Sequence, residues 1–133
     1  MRTDSLSDPS RVVEETGCGL LLDIAHACMT AHYLGMDTQE YFAKLPVHQI
    51  KEMHFAGTHT VEGLLTDHLS ILPEDWTRLD WVLKHIQSGE WSQPWLLAFE
   101  YGGVGEAFTW RSDPAVIADQ VPRLMEKLAS YSS

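Results

Sequence analysis

Three short apolar runs set the frame for this chain: Gly19 to Ile24 (GLLLDI), Ile50 to Ala56 (IKEMHFA) and Trp95 to Tyr101 (WLLAFEY). The first and third are nearly continuous, the pattern of strands covered on both faces in a parallel sheet. The middle run is mixed and takes its reading from its neighbours. Helices are predicted around them. Asp8 and Pro9 open one that stops at Gly17, and two short ones, Ala27 to Leu34 and Thr38 to Leu45, are punctuated by Gly35 and Pro46. Between Pro73 and Ser88, Trp76, Leu79, Leu83 and Ile86 recur at helical spacing, and Gly89 ends the run. Asp113 and Pro114 repeat the start signal before a last helix, Ala115 to Tyr131, which buries Ile117, Val121, Leu124 and Leu128. Pro122 should kink or split it. Helix and strand thus alternate along the chain, the order of a parallel α/β sheet or barrel.

A chain of 133 residues holds one domain with a real core, taken here as residues 1–133. Its hydrophobic fraction of 44% and charged fraction of 21% argue against disorder. Nineteen acidic residues against nine basic ones give a net charge of −10, a surface that repels nucleic-acid backbones. No apolar run is long enough for a membrane span, and the polar stretch from Met1 to Ser10 is no secretory signal. Cys18 and Cys28 form no CxxC pair, which points to a reduced, cytoplasmic protein with cysteines serving as small hydrophobes. Phosphate-loop motifs are absent, so Gly102, Gly103 and Gly105 read as a flexible turn.

The informative feature is what ends each strand. Asp23 and His26 close the first, His54 lies in the second, Glu100 in the third, and Asp67-His68 follows in the loop after the second. In parallel α/β folds the C-terminal strand ends form the active face, so these groups should converge across long sequence separations. Asp23 and His26 can both face inward only if the strand has ended and the chain is turning. A carboxylate in an apolar strand demands a partner, since burying even a neutral polar group unpaired costs roughly 2–7 kcal/mol. Mixed oxygen and nitrogen donors suit iron, manganese or zinc. A hydrogen-bonded polar network is the alternative, outweighed by the recurrence of such groups on three strand ends. His32, His48 and His85 read as packed or solvent-facing, and His59 lies nearer the active face. Trp91, Trp95 and Trp110 flank the third strand as candidate pocket walls.

These residues resemble the xylose-isomerase-like barrel superfamily. More closely, GCGLLLDIAHACMTAHYLGMD, YFAKLPVHQIKEMHFAG, DHL and PWLLAFEYGGVG resemble the multinuclear non-haem iron-dependent oxidases, from residue 17 to about 105. The resemblance implies a partial (β/α) TIM-type barrel, about strands 5 to 7 with their helices, incomplete as a single chain. It implies metal ligation by Asp23, His26, His54, His68 and Glu100, and by Asp67 if a one-residue gap replaces the family's D-x-H spacing, whose first acid otherwise falls on Thr66. His59 and Tyr101 become candidate substrate contacts, and no catalytic residue is assigned.

The function so implied is a fragment or subunit of an iron-dependent oxidative enzyme acting on peptides, with two or more iron ions and manganese or zinc as alternatives. Three strands cannot close an eight-stranded barrel, which takes about 250 residues. The expected partner is therefore a missing N-terminal barrel half or a second copy, with no nucleic acid and no membrane. Two other readings stay open: a divalent-metal sugar isomerase or epimerase, and a degenerate half-barrel scaffold.

Overall fold

The computed structural model describes residues 18–102 and 112–132; the predicted helix before Gly17 and Trp110 lie outside the described residues. Strand β1 (Leu20–Asp23) runs directly into helix α1 (Ile24–Leu34), which is followed by α2 (Thr38–Ala43) and a single 3-10 turn (Val47–Gln49). Then come β2 (Ile50–Phe55), β3 (Gly57–Val61), β4 (Leu64–Leu69), α3 (Pro73–Gln87), β5 (Leu96–Phe99) and α4 (Pro114–Ser132).

Strands β1, β2 and β5 form a parallel sheet in that order, each paired to the next predicted strand. This is an α/β unit compatible with part of a TIM-type fold. The register shifts once, between Leu20 and Leu21 of β1. Beyond that shift Leu22, Met53 and Leu97 lie side by side, as do Phe55 and Phe99. Their face is covered by helices, with Leu22, Met53 and Phe55 buried alongside Ile24, Cys28, Leu79, Val82 and Leu83. The opposite face carries Leu21, Glu52 and Leu96 in one row and Asp23, His54 and Ala98 in the next. It is open: Leu21 is 48% and Leu96 54% exposed. Among the described residues the sheet is thus covered on one side only, although the continuous apolar runs predicted cover on both.

Two elements depart from the sequence reading. Helix α1 starts three residues earlier than predicted, because the Asp23 side chain caps it and shortens the strand. The loop expected after the second strand is an antiparallel hairpin of β3 and β4. Its turn is Glu62-Gly63, both with positive φ (50° and 82°), as a two-residue hairpin turn of the right twist requires. At the base of the hairpin, a Cβ on Gly57 would fall 1.7 Å from the Ser70 carbonyl oxygen, so only glycine lets the two ends close.

Pro122 does not split α4, which runs unbroken from Pro114 to Ser132. Both Pro122 and Ala118, whose carbonyl loses its helical partner, are exposed, so water can satisfy the freed oxygen. Leu124 is buried as expected, but Ile117, also expected in the core, is 47% exposed, and Gln120 is buried. The Gln120 side chain accepts the Ile71 N–H at 2.7 Å and donates to the Ile71 carbonyl at 2.9 Å, pinning α4 to the segment after β4. Lys127 Nζ and Tyr131 Oη donate to Asp80 of α3 at 2.7 and 3.2 Å.

Trp91 belongs to the core, stacked on Phe42 and His85 and edge-on to Trp81. Trp95, 86% exposed, lines a shallow pocket with Leu96 and Tyr131.

Asp75 is a buried carboxylate in the first turn of α3. It accepts the N–H groups of Leu72 (2.9 Å) and Thr58 (3.3 Å), so one side chain starts the helix and ties it to β3. Burial is the largest influence on its carboxyl and pushes it above the usual aspartate range, against the two backbone donors and Arg78. A raised folded value means its ionisation opposes folding: the contribution present below the ordinary value near 3.9 is lost as pH rises through the folded value. In Asp75→Asn one oxygen can still accept both N–H groups and nothing titrates. Wild-type stability minus that of the variant should therefore fall as pH is raised from about 3.9, measured by urea unfolding across pH.

Candidate metal centre

The C-terminal ends of the parallel strands stand side by side, and their open-face residues converge there. Asp23 is in register with His54, which is in register with Ala98; Glu100 lies two residues further on the same face. The Glu100 N–H donates to the Phe55 carbonyl at 2.9 Å, which carries the β-pairing one step past the strand. His54 Nδ1 then lies 2.6 Å from Glu100 Oε1. Asp23, His54 and Glu100 form a triad whose ligand atoms lie within 4.8 Å of one another.

A second triad adjoins it. Because α1 begins at Ile24, His26 sits in the first helical turn above the rim. Asp23 Oδ1 accepts the His26 N–H at 2.9 Å, while Asp23 Oδ2 lies 3.7 Å from His26 Nδ1. The other ring nitrogen of His26, Nε2, is 2.6 Å from Asp67 Oδ2, and His68 Nε2 is 3.6 Å from the same oxygen. His26, Asp67 and His68 again gather within 4.8 Å. Asp23 therefore links the triads, with one oxygen starting the helix and the other facing the site.

Consecutive strand residues should point to opposite faces. His68 escapes this by adopting a left-handed backbone, φ 63°, which swings its imidazole to the side of Asp67. The Gly102 N–H donates to the His68 carbonyl at 2.9 Å, fastening the hairpin to the chain just after Glu100. His68 thus stands beside Asp67 although the two are adjacent in sequence. Thr66 takes no part in either triad; it pairs with His59 across the hairpin and its hydroxyl donates to the Leu64 carbonyl.

All six candidate ligands thus meet at one rim. His59 does not: its Nε2 lies 2.8 Å from the Ser70 carbonyl, and it lines a separate groove of about 620 Å³ with Cys28, His32 and Arg78. Cys28 there is a protonated thiol, which burial pushes up to about 11. Tyr101 stacks on Phe99, and its hydroxyl accepts the Asp113 N–H at 2.9 Å, joining the third strand end to the start of α4.

One group at the site escaped the sequence reading. Glu52 Oε1 lies 3.3 Å from His54 Nε2, so both nitrogens of that ring face carboxylates. Its signal was the two-residue spacing to His54, which places both on one face of a strand.

The donor chemistry fits a cation. Each triad offers imidazole nitrogen and carboxylate oxygen without thiolate, a set suited to iron, manganese or zinc. Four carboxylates, Asp23, Glu52, Asp67 and Glu100, gather at this rim, and a cation there would be attracted to all of them. Sequence comparison bears on which enzymes use such a rim. Residues 7–91, more than half of the chain, match the family described as RiPP precursor modification enzyme MbnB/TglH/ChrH. The chain belongs to this family. The MbnB/TglH/ChrH enzymes are a metalloenzyme family with a xylose-isomerase-like TIM barrel. Their match takes in five of the six candidate ligands, from Asp23 to His68, and stops short of Glu100.

The chain is 41% identical over 58 residues to a UPF0276 protein of Chromobacterium violaceum, covering 44% of this chain and 21% of that protein. It is 40% identical over 52 residues to one from Rhizorhabdus wittichii, covering 39% and 19%. A third, from Bordetella pertussis, is 44% identical over 46 residues, covering 35% and 16%. The match spans about a fifth or less of these relatives' length. Among the described residues, no helix is long and apolar enough to cross a membrane.

Proposed function

We propose that this chain supplies part of the metal centre of an iron-dependent oxidative enzyme that modifies a peptide precursor. The observation that carries the proposal is the pair of adjoining nitrogen/oxygen triads on one rim, joined through Asp23. In this reading Asp23, His54 and Glu100 hold one ion, and His26, Asp67 and His68 hold a second. Bound iron would supply one-electron and oxygen chemistry that side chains lack. The residues of the chain orient the ions: Asp23 through its helix-capping oxygen, His68 through its left-handed backbone, and Glu100 through its bond to Phe55.

The open sheet face supports a second part of the proposal. β1 and β5 each pair with β2 alone among the described residues, and Leu21 and Leu96 stand uncovered between them. Complementary strands, on the same polypeptide or on a partner, would complete a barrel around this face and bring further ligands. The free thiol of Cys28 suits a reducing compartment such as the cytoplasm.

The test is anaerobic reconstitution with ferrous iron, desalting and metal analysis. Iron retained by the wild type, with oxygen consumed once a precursor peptide is added, is the expected result. Retention of manganese or cobalt without oxygen consumption would move the assignment to isomerase-type chemistry. A monomer that retains no metal would leave a degenerate scaffold.

A further inference from the structure

In the metal-centre reading, a cation between Asp23, His54 and Glu100 takes the His54 nitrogen nearer to Glu100, which is Nδ1, 2.6 Å from Glu100 Oε1. A neutral imidazole carries one proton, and a metal takes the nitrogen that lacks it. The proton must then sit on Nε2, where it needs an acceptor. Without one the ring can exchange tautomers and present the wrong nitrogen. Glu52 Oε1 lies 3.3 Å from Nε2, on the same face of β2 and two residues earlier. In the sheet, Glu52 is flanked by Leu21 on one side and Leu96 on the other. Neither neighbour offers a polar group, and His54, in the next row on the same face, is the side chain that pairs with it.

We propose that Glu52 is a positioning residue that holds His54 as the Nε2–H tautomer and so aims Nδ1 at the cation. The proposal deepens the metal-centre reading and rests on it. Glu52 takes no ligand position. Its carboxylate draws on the ring proton and strengthens Nδ1 as a donor, as outer carboxylates do for ligating histidines elsewhere.

The test uses the full chain with Glu52→Ala, Glu52→Gln and, as reference, His54→Ala. The probe is cobalt(II), titrated anaerobically and followed by its visible absorption. A second measurement records the His54 ring nitrogens in the zinc(II)-loaded, diamagnetic protein by long-range proton–nitrogen correlation, because without a cation Glu100 Oε1, 2.6 Å from Nδ1, competes for the ring proton. Glu52→Ala should weaken cobalt binding about 10- to 100-fold, the usual effect of losing an outer partner. It should also move the His54 signals away from the Nε2–H tautomer. Glu52→Gln, whose amide oxygen can still accept a hydrogen bond from Nε2–H, should lie between alanine and wild type on both readouts.

Unchanged tautomer and affinity in Glu52→Ala would overturn the proposal. So would a glutamine variant as weak as alanine, since that pattern reports bare charge and not orientation. If His54→Ala binds cobalt as well as wild type, the metal-centre reading falls; if His54→Ala loses cobalt while Glu52→Ala matches wild type, the orienting role alone is overturned.

Discussion

His54→Ala is expected to abolish measurable retention of iron after desalting, with little change in stability. His54 is the middle member of its triad, in register with Asp23 on one side and Ala98 on the other, and 2.6 Å from Glu100. Removing it leaves two carboxylates facing each other with no nitrogen between them. The loss of affinity should exceed the ~10–100-fold that follows from losing only an outer partner. The ring is partly exposed on the open face and lies outside the buried core, so unfolding should shift by no more than about 0.5–1 kcal/mol. Metal analysis and urea unfolding of one preparation check both halves. Retained iron in a folded variant would remove His54 from the ligand set.

The largest stability effect is expected elsewhere, at Phe42. This ring is 1% exposed, stacked on Trp91 at 5.8 Å and edge-on to Trp81 at 5.5 Å. It comes from the short helix α2 and plugs the layer formed by α3 and the segment after it. Phe42→Ala opens a cavity walled by two large rings that cannot collapse far, at a cost of about 3–5 kcal/mol. Against a total stability of about 5–15 kcal/mol, that is a large share. The midpoint of urea unfolding should fall sharply, while the exposed control Ile117→Ala should stay within about 0.5 kcal/mol of wild type. Equal shifts in the two variants would show that the aromatic cluster does not anchor the fold.

The parts of the fold that were legible in the sequence share a physical cause. The three parallel strands turn one face to the helices, β5 through the partly buried Leu97 and Phe99, and that packing writes apolar runs into the sequence. The convergence of Asp23, His54 and Glu100 followed from the rule that parallel strands present their C-terminal ends together. The turn that brings Asp23 and His26 to one side also followed, because a strand cannot place residues three apart on one face.

The hairpin from Gly57 to Leu69 was not legible. Its strands are half-buried, and threonine, histidine and acidic residues give no clean alternation. Its turn uses Glu-Gly, where asparagine or aspartate before glycine would have been the recognisable signal. The kink that turns His68 beside Asp67 leaves no mark in the sequence, since histidine only tolerates a positive φ and does not require it. Glu52 was passed over for the opposite reason. An acidic residue in a mixed strand reads as solvent-facing until its neighbour two residues on is given a role.

The two triads ride on unlike supports. Asp23, His54 and Glu100 are held by a hydrogen-bonded parallel sheet, whereas Asp67 and His68 hang on a two-stranded arm hinged at Gly57 and latched at Gly102. Asp67 and His68 lie at the base of that arm, beside the Gly57–Leu69 pair and far from its Glu62-Gly63 tip. The tip can therefore lengthen or shorten without moving either set of side chains.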